Sequence, residues 1–330
     1  MKALVYEKAH SLDDFAMQLA DVAEPTLRQA DVLVDVRAIG VNPGEALFRR
    51  VHSAEPGGRI LLGWEFAGVV ITVGPQVQGF KNGDRVFGTG DMSRDGAWAE
   101  RVAVDHRILA KIPDQLSFAD AASLPIGTLT AWEAMFRDQD SLPASVDRVL
   151  IVGGAGAVGS LATQLLKAKT RAVVISTASR SESREWCLKM GADFVIDHTG
   201  NILEQLKSAN IPDVDMVLST AGTTDNLGRI AEVLRPFGHI CVVDMTPSID
   251  TNMLMVKSAS VHLEMVFSKI LRGDPRSQGG ILEAIAALVS DGELKPIPTI
   301  RLEGLAPETM RAAHALLETK RTIGKVVIVT

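Results

Sequence analysis

Hydrophobic and polar positions follow two different patterns along the chain. From residue 2 to about residue 111, short apolar or alternating runs are separated by turn residues, as at 32–39, 67–73 and 85–88. Runs of this length and period are typical of β-strands, and helical spacing is scarce here. The first part of the chain is therefore predicted to be β-rich.

After Ser117 the pattern changes to strands and helices in alternation. A helix is expected from about residue 120, and a buried strand at 148–152 precedes a helix at 157–169 with apolar residues on one face. Such alternation predicts an α/β fold with a parallel doubly wound sheet. Further strands are expected at 172–176, 194–196, 215–218, 239–244 and 261–267, helices at 182–190 and 227–234, and a mixed tail of helix 281–290, strand 297–302, helix 307–319 and strand 325–329.

Length and composition restrict the class of protein. A chain of 330 residues, 46% of them hydrophobic, is long enough for two domains. The net charge of −6 with no run of like charges makes nucleic acid an unexpected partner. Two cysteines are too few for a disulfide scaffold or a cysteine-rich zinc site. With no membrane-length apolar stretch, we expect a soluble cytoplasmic protein.

A glycine-rich turn joins the strand at 148–152 to the helix that follows it. Gly154, Gly156 and Gly159 match the G-x-G-x-x-G pattern of dinucleotide-binding proteins, in the strand-to-helix context that the pattern requires. The expected phosphate ligands are the backbone and helix N-terminus at Gly153, Gly154, Gly156, Ala157 and Val158. The alternative is a glycine turn in an α/β protein that binds no nucleotide.

The end of the next strand indicates which dinucleotide is bound. An NAD enzyme places a carboxylate there, about 20 residues after the turn, whereas this chain has Thr177, Ser179 and Arg180 and no acid before Glu182. Hydroxyls and a guanidinium can donate hydrogen bonds to a 2′-phosphate, which a carboxylate would repel. We therefore predict NADPH as the cofactor. The alternative is that Arg180 is a solvated residue at a helix start.

Further segments carry a family pattern in order along nearly the whole chain. With the glycine-rich turn, they resemble the medium-chain dehydrogenase/reductase superfamily, in particular its quinone-oxidoreductase-like branch, often labelled zinc-type alcohol dehydrogenase-like. The segments are residues 41–43 with Arg49, 63–65, 83–86, 121–125, 130–132, 177–180, 191–193, 195–198 and 324–327.

The resemblance implies a Rossmann domain inserted in a GroES-like β-rich catalytic domain. The catalytic domain would comprise residues 1–124 and 270–330, and the NADPH-binding Rossmann domain residues 125–269. The active site would lie in the cleft between them. The resemblance also implies a homodimer formed through the edge strand at 261–267, although this run is equally compatible with an internal strand of a monomer.

The zinc ligands of metal-dependent relatives are missing. By the resemblance, Asn42 stands where the first cysteine would be, Trp64 where the histidine would be, and Ile126 where the last cysteine would be. Tryptophan and isoleucine cannot coordinate a metal, and an amide oxygen is a poor zinc ligand. No metal site is therefore predicted.

The resemblance also assigns residues to the reaction centre. Asn42 would donate its amide to a substrate oxygen, or else form a turn before Pro43. Thr130 would fix the nicotinamide, or else cap a helix. Val243 and Met245 would line the carboxamide side of the ring, and His198 and Thr220 would contact the adenosine half, although all four are also compatible with ordinary core or loop positions.

No tyrosine proton donor is evident, because Leu47 replaces the tyrosine that some quinone reductases carry. Glu45 and Glu65 are candidate acids if burial raises their pKa values, with a structural ion pair as the alternative for Glu65. Trp64, Phe48 and Leu47 are candidate walls of an apolar substrate site.

Without a Lewis acid, reduction of a quinone or an activated C=C demands less polarisation of the acceptor than alcohol oxidation does. The first hypothesis is therefore an NADPH-dependent reductase of quinones or α,β-unsaturated carbonyls that acts on a small hydrophobic substrate. The alternatives are a metal-free NADPH-dependent carbonyl or alcohol oxidoreductase and a non-catalytic NADPH-binding sensor.

Overall fold

The computed structural model describes residues 1–137, 139–246, 248–274 and 276–330. The chain forms two compact units: unit 1 comprises Met1–Ile126, Phe267–Gly292 and Pro296–Thr330, and unit 2 comprises Gly127–Val266 and Glu293–Lys295. The limits of 125 and 269 expected for a Rossmann domain fall beside those of unit 2, and the assignment of domains stays a prediction.

The first part of the chain is rich in strands, and after Ser117 helices and strands alternate as the sequence predicted. The strands are β1 (Lys2–Val5), β2 (Gln18–Asp21), β3 (Asp31–Val41), β4 (Glu65–Val73), β5 (Arg85–Thr89), β6 (Arg101–Asp105), β7 (Leu109–Lys111), β8 (Arg148–Val152), β9 (Val173–Thr177), β10 (Phe194–Ile196), β11 (Val214–Ser219), β12 (Leu234–Val242), β13 (Ser260–Leu263), β14 (Pro298–Glu303) and β15 (Lys325–Val329). The helices are α1 (Pro43–Val51), α2 (Phe118–Ala121), α3 (Pro125–Phe136), α4 (Ala157–Lys169), α5 (Ser181–Lys189), α6 (Ile202–Ser208), α7 (Thr223–Val233), α8 (Asn252–Met255), α9 (Ser268–Leu271), α10 (Arg276–Ser290) and α11 (Pro307–Glu318), with a 3₁₀ turn at His106–Ile108.

Unit 2 contains a six-stranded sheet in the order β10-β9-β8-β11-β12-β13. Every neighbouring pair in it is parallel. Strands buried on both faces of such a sheet are continuously apolar, as β8 shows with Val149, Leu150 and Ile151 fully buried. This order reverses between β8 and β11, where doubly wound folds bind their ligands. The predicted parallel doubly wound sheet is confirmed.

Unit 1 is built around the long strand β3. It pairs with β15, β4 and β6, all antiparallel, in a seven-stranded sheet that also contains β5, β7 and β14. Its inward side chains, such as Val32 and Val34, are fully buried, and they pack in a core with Phe66 and Trp98. The β-rich character predicted for the first part of the chain is confirmed.

Some elements differ from the sequence prediction. Helix α1 (Pro43–Val51) lies in the stretch where helices were expected to be scarce. The strand expected at 261–267 ends at Leu263, because α9 begins at Ser268 and the chain turns between them. Strand β12 begins at Leu234, directly after α7, and not at residue 239. These differences arise from tertiary pairing, which local periodicity does not encode.

Across the part of the chain that the structure describes, none of the helices combines the length and the apolar character that crossing a bilayer requires.

Candidate active site

The glycine-rich turn of unit 2 is held to the end of strand β9. The Gly153 N–H donates to Thr177 Oγ1 at 3.0 Å, and the Gly154 N–H donates to the Thr177 carbonyl oxygen at 3.2 Å. Gly153 has a φ of 80°, which a residue with a side chain rarely adopts. The turn is therefore fixed by one bond to a side-chain hydroxyl, by one bond to a backbone carbonyl, and by the glycine that the φ of residue 153 favours.

The other glycines of the motif differ in the space around them. A Cβ added at Gly159 would lie 2.4 Å from the Gly153 carbonyl oxygen and 2.7 Å from Gly154 Cα, so close packing of turn and helix requires glycine there. A Cβ added at Gly156 would meet only the Gly153 oxygen, at 3.5 Å. The protein leaves open space beside Gly156, on the side where the motif brings its backbone to a pyrophosphate.

Helix α4 begins at this open space. The Ser160 N–H donates to the Gly156 carbonyl at 2.9 Å, so the N–H groups of Ala157, Val158 and Gly159 precede the first intrahelical bond. Free N–H groups and the positive end of the helix dipole form a binding site for phosphate. The residues at this turn therefore fit the pyrophosphate of a dinucleotide.

Beyond β9, the predicted 2′-phosphate ligands lie in different environments. Thr177 is buried, and its hydroxyl oxygen already accepts the bond from Gly153, so this side chain supports the turn. Ser179 is exposed. Arg180 is the N-cap of α5, and its Nη1 lies 3.9 Å from Glu182 Oε2. Glu182 is 77% exposed in its side chain, so this contact is weak and open to competition.

The four remaining cofactor candidates follow the ends of the strands. Thr220 donates its hydroxyl to the Val152 carbonyl at 2.8 Å and lies against Gly153, so it contacts the turn directly. His198 is half-buried and follows β10. Val243 donates its N–H to the Ser219 carbonyl at 3.1 Å, whereas Met245 is 81% exposed.

A polar group that the sequence analysis missed lies between these strand ends. The Asp244 carboxylate accepts the N–H of Thr223 at 3.0 Å and also its hydroxyl, and Ser219 Oγ lies 2.7 Å from Thr223 Oγ1. Asp244 thereby caps the start of α7 from the end of β12. The sequence signal was an acid directly after a buried strand.

Thr130 lies inside α3 and not at its start, so the alternative of a helix cap is wrong for this residue. It is 8% exposed and belongs to unit 2.

In unit 1, Asn42 is the N-cap of α1, and its side chain is bonded at both ends. Its Nδ2 donates to Glu65 Oε1 at 2.9 Å and to Glu45 Oε2 at 3.2 Å, while its Oδ1 accepts from Lys325 Nζ at 2.6 Å. This corrects the geometry expected from the sequence, in which the amide was available to a substrate oxygen. Both amide hydrogens are used inside the protein.

Two carboxylates and one ammonium group surround Asn42. Glu65 forms an ion pair with Lys325, and its Oε2 accepts the Ile126 N–H at 2.9 Å. Glu45 accepts the Trp64 N–H at 2.7 Å and the Asn42 N–H at 2.8 Å. Glu45 and Glu65 are fully buried, and Lys325 is 2% exposed. We call these four residues, Asn42, Glu45, Glu65 and Lys325, the carboxylate cluster.

The carboxylate cluster has two acidic side chains, Glu45 and Glu65, and only one basic side chain, Lys325. Lys325 pairs with Glu65, whereas Glu45 forms no ion pair with any residue that the structure describes. Burial raises the pKa of Glu45 to about 7, and the Glu65 charge acts in the same direction, while the N–H bonds from Trp64 and Asn42 and the Lys325 charge oppose the rise. Glu45 therefore titrates near neutrality.

One member of the carboxylate cluster, Asn42, stands at a position that the resemblance assigns to a zinc ligand, and the residues at the other two positions, Trp64 and Ile126, donate backbone N–H groups to its carboxylates. The Asn42 amide is bonded to carboxylates and to Lys325, and the side chains of Trp64 and Ile126 have no atoms that bind zinc. No group of three side chains among the described residues is arranged to hold a metal ion. The donor set does not fit zinc.

A cavity of about 360 Å³ lies in unit 1, and one of its walls is Trp64, whose N–H donates to Glu45 of the carboxylate cluster. Its walls also include Phe48, His52 and Leu62, together with charged side chains. Phe48 stacks on His52 at a ring distance of 3.9 Å and meets Trp64 edge-on at 6.0 Å. The Trp64 ring lies against Gly44, where an added Cβ would come within 2.9 Å of it. Of the predicted walls, Trp64 and Phe48 line the cavity and Leu47 does not.

The fold and the turn define a nicotinamide-nucleotide-binding oxidoreductase of the α/β class. Residues 28–114 match the alcohol dehydrogenase GroES-like domain, and residues 190–328 match the zinc-binding dehydrogenase domain. A zinc-type alcohol dehydrogenase-like protein of Staphylococcus aureus strain MSSA476 is 36% identical over 99% of both chains. The NADPH-dependent alkenal/one oxidoreductase of Arabidopsis thaliana chloroplasts is 30% identical over 99% of this chain and 79% of its own.

Two solved structures are similar throughout. A protein of Rhizobium etli CFN 42, provisionally named a zinc-dependent alcohol dehydrogenase, has a TM-score of 0.95 and 36% identity over 100% of this chain and 98% of its own. The quinone oxidoreductase of Coxiella burnetii has a TM-score of 0.81 and 28% identity over 100% and 99%. The chain belongs to the medium-chain dehydrogenase/reductase superfamily, in its quinone-oxidoreductase-like branch.

Proposed function

We propose that this protein is an NADPH-dependent, zinc-independent reductase of quinones or α,β-unsaturated carbonyls. The observation that carries the proposal is the carboxylate cluster, which takes up the Asn42 amide and leaves Trp64 and Ile126 as the other residues at the metal positions. Without a Lewis acid, the acceptor must itself be readily reduced, and quinones and enones are.

Aromatic side chains in the wall of the 360 Å³ cavity favour this class of acceptor. Phe48 and Trp64 provide two ring faces or edges at 6.0 Å from each other, and Leu62 adds an aliphatic wall. Flat hydrophobic molecules bury well against such surfaces. The Arabidopsis and Coxiella relatives, an alkenal/one oxidoreductase and a quinone oxidoreductase, favour the same chemistry.

NADPH would supply the hydride, and we assign its binding to unit 2. Pyrophosphate binding is assigned to the turn, the 2′-phosphate to Ser179 and Arg180, and contact with the nicotinamide to Thr130. Thr177 and Thr220 support the turn. The assigned cofactor residues are Gly153, Gly154, Gly156, Ala157, Val158, Thr177, Ser179, Arg180, His198, Thr220, Val243 and Met245.

Asn42 is assigned a positioning role. Its amide joins Glu45 to Glu65 and its oxygen holds Lys325, so it fixes the two carboxylates relative to each other. Since both its amide hydrogens are bonded, a substrate oxygen must find its donor elsewhere or from water.

The test is NADPH oxidation by the purified protein with 9,10-phenanthrenequinone and with but-3-en-2-one, with ethanol plus NADP⁺ as the control pair. We expect turnover with the quinone or the enone and none with ethanol. Tight NADPH binding without turnover on either acceptor would favour a sensor. Turnover confined to simple aldehydes and alcohols would favour the metal-free carbonyl reductase.

A further inference from the structure

A second set of buried polar side chains lies in unit 1, outside the carboxylate cluster. Tyr6, Arg49, Trp98 and His314 are each at most 1% exposed, and His10 is 8% exposed. Several of their polar atoms have no hydrogen-bond partner among the described residues. These atoms are Tyr6 Oη, His10 Nε2, Arg49 Nε and Nη1, Trp98 Nε1, and both ring nitrogens of His314. We call the five residues the buried polar cluster.

Ring contacts connect the five residues around Phe15. The His10 ring lies 5.3 Å from that of Phe15 and 5.1 Å from that of Tyr6. The His314 ring lies 6.3 Å from that of Phe15 and 5.4 Å from that of Trp98. The Arg49 guanidinium carbon lies 5.4 Å from the Phe15 ring centre. The side chains that carry the unpartnered atoms therefore lie in one part of the unit 1 core, formed by the N-terminal segment, the segment around Trp98, α1 and α11.

Donors exceed acceptors in this region. Tyr6 and Trp98 each carry one polar hydrogen to donate, and the two free nitrogens of Arg49 carry three. His10 Nδ1 lies 2.8 Å from the Lys8 carbonyl oxygen, so Nδ1 is the protonated nitrogen and Nε2 is an acceptor. A neutral His314 adds one donor and one acceptor. A ligand that only accepts hydrogen bonds matches this surplus better than water, which also donates.

The cluster contains a cation, the Arg49 guanidinium, which favours an anion in the same way as the hydrogen-bond donors do. Arg49 is fully buried, and its ion-pair partner among the described residues, the Glu318 carboxylate bonded to Nη2, is 26% exposed in its side chain and so partly screened by solvent. Burial, and secondarily the Arg49 charge, lower the pKa of His314 to about 3, so His314 is neutral at pH 7. Burial also lowers the pKa of His10.

We propose that the buried polar cluster is a binding site for a small inorganic anion of halide size, held by Arg49, Tyr6 and Trp98. The anion accepts hydrogen bonds from three parts of the chain and so links the N-terminal segment to α1 and to the segment that carries Trp98. A monatomic anion suits the site because it has no donors and accepts bonds from any direction. The cluster is separate from the residues assigned to NADPH and substrate.

The probe is bromide, which replaces chloride in such sites and can be located by its anomalous scattering. Crystals of the full chain grown or soaked in sodium bromide should show an anomalous peak within hydrogen-bond distance of Arg49 Nε or Nη1. In solution, the thermal midpoint should rise with bromide concentration at constant ionic strength, kept constant with bulky gluconate, and the rise should follow binding of one ion to the folded state.

Two variants test the donors while changing little volume. Tyr6→Phe removes one hydroxyl and Trp98→Phe removes one indole N–H, and each should weaken bromide binding by about three- to tenfold. Trp132→Phe is the matched control, because Trp132 is equally buried and lies in unit 2. It should leave the bromide dependence unchanged.

A peak at the cluster, together with weaker dependence in Tyr6→Phe and Trp98→Phe alone, would support the site. Ordered water in the cluster with no anomalous signal would overturn the proposal. A midpoint that responds equally to bromide and gluconate, or equally in all three variants, would overturn it as well.

Discussion

The glycine-rich turn of unit 2 and the carboxylate cluster of unit 1 are built in opposite ways. The turn is made of backbone from one short segment, residues 153–159, and its specificity comes from missing side chains. The carboxylate cluster is made of side chains from separate elements, with Glu45 on α1, Glu65 on β4 and Lys325 on β15. A site made of backbone, such as the turn, is therefore damaged by an added side chain. A site made of side chains that are distant in sequence, such as the carboxylate cluster, is damaged by the removal of a charge.

The largest expected effect follows from breaking the buried ion pair. Lys325→Met leaves Glu65 buried without its cation, and we expect it to destabilise the protein by about 3 to 5 kcal/mol. Denaturant unfolding measures the loss. Lys81→Met, at an exposed position, is the control and should change stability by less than about 0.5 kcal/mol. A loss in Lys325→Met no larger than in this control would show that the buried pair contributes no stability.

The next effect separates the two roles of glycine in the turn. Gly156→Val places a side chain in the open space beside the turn, so NADPH affinity should fall about 100-fold or more while the fold is kept. Gly159→Ala is the matched variant, and it should lower stability because its Cβ would meet the Gly153 oxygen at 2.4 Å. Calorimetric titration and thermal unfolding of both variants give the two readouts. If Gly156→Val bound NADPH normally, the turn would have only a structural role.

A further effect, comparable in size, concerns pH. The pKa of Glu45 is about 7 in the folded protein against 4.5 for the free side chain, so the folded state binds this proton more tightly. The Glu45 contribution to stability is therefore fully present below pH 4.5 and is lost as pH rises to about 7, at up to about 1.4 kcal/mol per pH unit. Glu45→Gln should remove this decline. Unfolding free energies at pH 5 and 8 for both proteins test it, and an identical pH dependence would contradict the assignment.

The smallest expected effect is that of Arg180 on cofactor choice. One charge-assisted bond to a 2′-phosphate contributes about 1.5 kcal/mol when partly exposed, so Arg180→Ala should raise the NADPH dissociation constant about tenfold and leave NADH nearly unchanged. Titration of both cofactors against both proteins is the measurement. Equal losses for the two cofactors would place Arg180 at the shared adenosine or in the fold.

The same contrast explains how much of the molecule was predictable. The strand, turn and helix around Gly154, Gly156 and Gly159 were predicted because one contiguous segment encodes strand period, turn chemistry and helix period together. The parallel order of the sheet followed from the alternation of elements. Helix α1 was not predicted, since its polar positions Glu45 and Arg49 are buried and conceal the apolar face that periodicity detects.

The contacts within the carboxylate cluster could not be predicted from the sequence. Asn42 was recognised as a site residue, but its bonds to Glu65 and Lys325 join positions 23 and 283 residues away along the chain. No local pattern specifies such contacts, and the amide was therefore assigned to a substrate and not to the protein. The missed group at Asp244 is similar, since its partner Thr223 is 21 residues away.

The central claim, NADPH-dependent reduction without zinc, is tested most directly by one measurement on the purified protein. The rate of NADPH oxidation with 9,10-phenanthrenequinone is compared before and after dialysis against a strong chelator, with the zinc content of both samples determined. We expect no stoichiometric zinc in either sample and the same rate of NADPH oxidation in both, because Asn42, Trp64 and Ile126 supply no metal site. One zinc per chain, removed together with the activity, would contradict it.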